Sequence, residues 1–232
     1  MSTKDRAVLR IKRAMRHATP AHIVRTRLTK RVVSKFADTM GLVYFGAIGH
    51  NSDEARLVRG HTVSRTHQDR HYCIGTVNGY DVILVLRNDV VRTRSGNLER
   101  CHWLIYSIDL HTKRDLPRFY IGHQSRDAIF AASYEQLYPI TLGSAMTYPS
   151  KFTHEYTVYS AATHAATIER IITPQVAEVM AQEFRNASIE LQDNTLYLYV
   201  ESRRPSEAEL GKLLSNALWL AEAIDTLTSP KE

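Results

Sequence analysis

The sequence predicts an α+β fold, and three observations carry that prediction. Two stretches, "HYCIGTVNGYDVILVLR" and "SIELQDNTLYLYV", place apolar runs on either side of a two-residue turn. The ends of the chain instead repeat their apolar residues every three or four positions, as a helix face does. The expected architecture is an antiparallel meander sheet with basic N-terminal helices and a C-terminal helix-hairpin-helix region. It divides into basic amphipathic helices over 1–40, a β-meander region over 41–150 and an α+β region over 151–232, with the last two open to forming one domain.

In the first helix Val8, Ile11, Met15 and Ala18 share one face, and Arg6, Arg10, Arg13 and His17 the other. Thr19-Pro20 interrupts it, since proline lacks an N–H yet suits the first turn of a new helix. A second helix is expected from about Ala21 to Thr39, with Val24, Leu28, Val32 and Phe36 inward and Gly41 as its stop.

From 42 the period changes. Leu42 to Phe45 reads as a strand, and Asn78-Gly79 suits a type I′ turn that pairs Val77 with Tyr80, Ile74 with Ile83, Cys73 with Leu84 and Tyr72 with Val85. The second strand is then apolar on both faces and should be central. "CHWLIYSIDL" and "RFYIGHQ" continue the meander, with an exposed loop expected over Val90 to Arg100.

Ser125 to Glu135 is expected to form a short helix and "FTHEYTVYS" a strand. Helices should follow over Ala162–Ile172 and from the Thr173-Pro174 cap to Arg185. A second hairpin turns at Asp193-Asn194, pairing Leu191 with Leu196 and Ile189 with Leu198. Pro205 and the capping box from Ser206 to Glu209 open the last helix. Its buried stripe is Leu210, Leu213, Leu214, Ala217, Leu220, Ala221, Ile224 and Leu227. Trp219 lies off that stripe and needs a contact, either a partner molecule or the apolar face of the N-terminal helices.

A chain of 232 residues with 44% hydrophobic content can bury a core unaided. Two cysteines, Cys73 and Cys101, are far fewer than a disulfide-stapled secreted scaffold carries, which favours a reducing cytoplasm. No run approaches about 18 apolar residues, so attachment to a membrane would be peripheral.

Charge is unevenly spread. Residues 1–36 hold eleven Lys/Arg against Asp5 alone, a net +10 in a chain of +6, so the remainder is acidic by 4. Arg6, Arg10, Arg13, Arg16, Arg25, Arg27, Lys30 and Arg31 therefore form the candidate anionic-surface site, with a membrane face or nucleic acid as partner. A solvated outer face is the competing reading, but acids that would balance such a face are nearly absent.

Catalytic and cofactor motifs are missing: no G-x-S-x-G, no G-x-x-x-x-G-K-[ST], no G-x-G-x-x-G, no H-E-x-x-H and no C-x-x-C. No cofactor is implied. An enzyme or metal-binding protein would find its ligands among His50, His61, His67 and His71, or where Cys73, Cys101 and His102 meet. Spacing counts against the first set, because His71 leads into a strand on which four residues span about 13 Å. The tyrosines of "LYLYV" and "EYTVY" read as cross-strand packing, since acids surround them where a nucleic-acid platform needs bases. The favoured reading is a non-catalytic binding or adaptor module.

"FADTMGLVYFGAIGHNSDEARLVRGHTVS", "DNTLYLYV" and "LLSNALWLAEAID" together resemble a family of bacterial proteins from the small-genome candidate phyla, Saccharibacteria-like, without an assigned activity. The resemblance covers most of 36–226 and implies a bacterial cytoplasmic protein; it brings no functional residues.

Overall fold

The computed structural model describes residues 20–46, 67–92, 98–124, 137–184 and 186–229. The expected helices over 1–18 and 125–135, with His50 and His61, lie outside the described residues. Mixed helices and strands are present, with five α-helices and nine strands among those residues.

Helix α1 runs Pro20–Met40 and ends where Gly41 takes a φ of +72°. Leu42 N–H donates to Ala37 O and Gly41 N–H to Asp38 O, so two carbonyls at the helix end are satisfied as the left-handed cap requires. The buried residues are Val33, Phe36 and Ala37, with Val32 only partly covered. Leu28 was expected inward and is instead 58% exposed; the described contacts of α1 with the core lie at Val33, Phe36 and Ala37 in its C-terminal half.

The strands are β1 (Val43–Tyr44), β2 (Gln68–Val77), β3 (Tyr80–Arg92), β4 (Leu98–Asp109) and β5 (Phe119–His123). They are followed by β6 (Tyr138–Ile140), β7 (Tyr156–Ser160), β8 (Ala187–Gln192) and β9 (Thr195–Glu201). All pair antiparallel in one sheet of order β1-β2-β3-β4-β9-β8-β5-β7-β6.

Asn78 and Gly79 both have positive φ, and Val77↔Tyr80, Ile74↔Ile83 and Cys73↔Leu84 pair as the type I′ turn demands. The expected Tyr72↔Val85 pair is absent. A bulge between Arg70 and Cys73 sets His71 and Tyr72 against one residue of β3, with His71 at a φ of +57°. The expected 90–100 loop is overturned at its two ends, since β3 continues to Arg92 and β4 opens at Leu98 in register with it, while 93–97 lie outside the described residues.

The sequential pairing stops at β4. Hairpin β8–β9 enters between β4 and β5, so the 42–124 segment is not one continuous meander. The cause is visible at the β8–β9 turn, whose Asp193 and Asn194 have positive φ. Asn194 Oδ1 accepts from Leu116 N–H at 3.1 Å, and its Nδ2 donates to Arg114 O at 2.8 Å. The passage from β4 to β5 is thereby fastened over the turn, and β5 pairs with β8. The predicted pairs Leu191↔Leu196 and Ile189↔Leu198 are present.

Residues 152–155, read as the start of a strand, belong instead to helix α2 (Ser150–Glu155) ahead of β7. One helical turn sets Phe152 between Tyr148 and Tyr156 at ring distances of 6.2 and 5.3 Å, a stack that an extended chain would separate. A 3₁₀ turn at Ala162–His164 leads into α3 (Ala165–Ile171), and α4 (Pro174–Glu183) is capped by the Thr173 side chain, which accepts from Val176 N–H. Helix α5 (Glu207–Thr228) carries the full capping box of Ser206 and Glu209. Its stripe is buried as expected except for Leu227, which is exposed, and Leu218 is buried in addition.

The main core lies between the helices and one sheet face, joining Phe36, Leu84, Leu104, Ile189, Met180 and Leu214. A second buried cluster includes Tyr72, Val85, Trp103, Tyr120, Tyr159, Tyr197 and Tyr199, which belong to strands.

Candidate functional site

Arg27, Lys30 and Arg31 are exposed on α1, and Leu28 stands among them. Lys35, one turn further on, is tied to Glu207 of α5 by an ion pair of 3.0 Å. Helix α1 is thus clamped at its C-terminal half by Val33, Phe36, Ala37 and the Lys35–Glu207 pair, while its preceding basic turn faces solvent. The side chain of Arg25 and all of Arg6, Arg10, Arg13 and Arg16 lie outside the described residues.

The sheet edge beside α1 adds to this corner. The Tyr44 hydroxyl lies 2.7 Å from His71 Nδ1, and backbone bonds join Phe45 N–H to Tyr72 O and His71 N–H to Gly46 O. The imidazole is held down to a pKa of about 4, first by burial and then by the nearby charges of Arg70 and Lys30. Val43 and Phe45 point away from the core there and are 57% and 50% exposed.

Among the described residues the other proposed ligands do not converge. Cys73 belongs to the main core and Cys101 to the second cluster, so they lie on opposite sheet faces with β3 between their strands. Burial pushes the Cys73 thiol up to about 12, away from a metal-ready thiolate. His102 Nδ1 bonds Asn88 Oδ1 at 2.5 Å, and His67 Nε2 is 3.9 Å from Asp69. No group of three or more His, Cys, Asp or Glu able to hold a metal occurs among the described residues.

Sequence reading missed the polar centre of the second sheet face. Asp69 and Arg87 face each other on β2 and β3, joined by two hydrogen bonds of 2.7 Å, and the Tyr72 hydroxyl donates to the same carboxylate at 2.9 Å. Glu190, fully buried on β8, accepts from the Tyr199 hydroxyl at 2.8 Å, with Arg118 at 3.5 Å. The available signal was a charge inside an otherwise apolar strand, Arg87 after "VILVL" and Glu190 in "SIELQ". Burial and the neighbouring carboxylates raise the pKa values of Tyr72 and Tyr199, and the Asp69–Arg87 and Tyr199–Glu190 bonds tie the strands of this centre together.

Trp219 is 36% exposed and rests on Phe184 at a ring distance of 6.1 Å. Among the described residues its ring contact is with the end of α4, while the first of the expected N-terminal helices lies outside them. With Val176, Ala223 and Leu227 it lines an open groove between α4 and α5.

No family model matches the chain, and no curated protein matches it. Among solved structures it is similar to the crystal structure of the mycobacterial trehalose monomycolate transport factor A, TtfA. The TM-score is 0.62 at 12% identity, over 89% of this chain and 99% of that one, a likeness of fold alone. No helix among the described residues is long and apolar enough to cross a membrane.

Proposed function

We propose that the protein is a non-catalytic binding or adaptor module that meets an anionic surface through its basic N-terminal helices. The observation that carries this reading is the exposed turn of Arg27, Lys30 and Arg31 on α1, of whose described basic residues Lys35 is engaged by an acid, Glu207. Solvated cations attract phosphate or an anionic headgroup, and that attraction is long-ranged and weakened by salt. A likeness of fold to TtfA, a transport factor by name, is in keeping with an accessory role and brings no cargo with it. At a membrane such a module would sit on the cytoplasmic face as a peripheral protein.

The test compares the full chain with the triple variant Arg27→Glu, Lys30→Glu, Arg31→Glu. Binding to phosphatidylglycerol-containing vesicles and to duplex DNA is measured at low and high salt. Loss of at least about tenfold in affinity for the surface bound by the wild type, with an unchanged melting temperature, is expected. Equal binding by both proteins would overturn the reading.

A further inference from the structure

Near the turn between β2 and β3, the second sheet face carries an acid-lined pocket that the basic turn of α1 does not use. Thr76 pairs with Asp81 and Asp109 with Thr195, and the Val82↔Ile108 pair brings their neighbours Asp81 and Asp109 opposite each other. One row of polar side chains therefore crosses β2, β3, β4 and β9. Two residues along the same face, Ile74 pairs with Ile83, Ile83 with Ser107 and Ser107 with Tyr197. Between the two rows lies an open pocket of about 290 Å³, lined by Ile74, Thr76, Asp81, Ile83, Ser107 and Asp109.

Two like charges directly opposite on neighbouring strands repel, and a cation between them removes that cost. Thr76 Oγ1 donates to Asp81 at 2.8 Å and Thr195 Oγ1 to Asp109 at 2.9 Å, but among the described residues no Lys, Arg or His pairs with either carboxylate. Ser107, only 3% exposed, lines the same pocket, and its hydroxyl makes no hydrogen bond among the described residues. A buried hydroxyl without a partner is a donor and acceptor held ready for a ligand. The negative field extends along this face: the Tyr197 hydroxyl is pushed up to about 12, by burial first and then by Glu190, Asp109 and Asp193.

We propose that this pocket binds an alkylammonium group, its N–H donors shared among the Asp81 and Asp109 carboxylates and the Ser107 hydroxyl, its carbon stem lying along Ile74 and Ile83. A metal ion fits less well, since the apolar row offers it no ligand and no group of three or more His, Cys, Asp or Glu able to hold one occurs among the described residues. A carbon stem packs on that same apolar row while its charged head stays with the acids. A free amine and the lysine side chain of a peptide share this chemistry.

The experiment titrates the full, ¹⁵N-labelled chain with n-butylammonium, its neutral counterpart n-butanol, calcium and the peptide acetyl-Gly-Lys-Gly-amide, following the amide signals of residues 74–83 and 107–109. Saturable shifts with butylammonium or the lysine peptide, and none with butanol, are expected. Tighter binding of the peptide would make a protein lysine the source, and tighter binding of butylammonium a free amine; either result upholds the site. The double variant Asp81→Asn, Asp109→Asn should bind at least about tenfold more weakly without a lower melting temperature, because the repulsion between the two acids goes with the charges. Ser107→Ala should weaken binding about threefold. Butanol binding as well as butylammonium, calcium shifting these signals where neither ammonium probe does, or unchanged binding by both variants would overturn the proposal.

Discussion

The Arg87 guanidinium grips the Asp69 carboxylate through two hydrogen bonds of 2.7 Å, directly across β2 and β3, with both side chains withdrawn from solvent. Removing one partner strands the other charge in the interior. Arg87→Leu should therefore cost about 3–5 kcal/mol. The double replacement Arg87→Leu, Asp69→Leu should recover most of that loss, because no charge is left unmatched. Urea unfolding of the three proteins checks this; a double variant no more stable than the single one contradicts it.

Asn194 combines a left-handed backbone with bonds to the 112–116 segment, so Asn194→Ala should cost about 2–3 kcal/mol. Gly79→Ala meets nothing within 4 Å at a φ of +84° and should cost only the backbone strain, about 1–2 kcal/mol. Asn194→Gly discriminates: it relieves the strain but not the lost bonds, and thermal unfolding should place it below wild type.

Trp219 is partly covered by Phe184, whereas its neighbour Leu220 is wholly buried. Trp219→Ala should cost about 1–2 kcal/mol, and Leu220→Ala about 2–5 kcal/mol. Chemical denaturation that reversed this order would show that the groove between α4 and α5 carries more of the fold than its exposure implies. An unaltered sedimentation profile for Trp219→Ala is expected of the intramolecular contact.

His71 supplies a pH dependence. Its folded pKa of about 4 lies below the ordinary 6.5, so between those values the unfolded chain binds the proton more readily. The contribution is complete above about pH 6.5 and disappears as the pH falls towards 4. His71→Asn keeps a residue tolerant of the positive φ and has no imidazole. Its melting temperature should fall less steeply than the wild type's across this window; parallel curves would show that His71 contributes nothing.

Local rules reach a fixed distance. The Asn78-Gly79 and Asp193-Asn194 turns, the Thr173 and Ser206 caps, the Gly41 stop and the stripe of α5 were legible because each depends on a few neighbouring residues whose stereochemistry admits few alternatives. The basic face of residues 27–31 was legible for the same reason, as charge is written directly in composition.

Strand order, the bulge and the buried charges were decided only in the tertiary structure. Nothing near Leu116 says that Asn194, 78 positions away, will fasten it and send β5 to β8. Nothing beside His71 requires one extra residue, which is set by the fit of β2 to β3 and β1 together. The apolar residues Phe45 and Val43 could be read as strand from the sequence, but their exposure follows from β1 being the last strand of the sheet. Propensity and capping act within a few residues, whereas pairing and burial depend on which distant segments the closed sheet brings together, and that choice belongs to the whole chain.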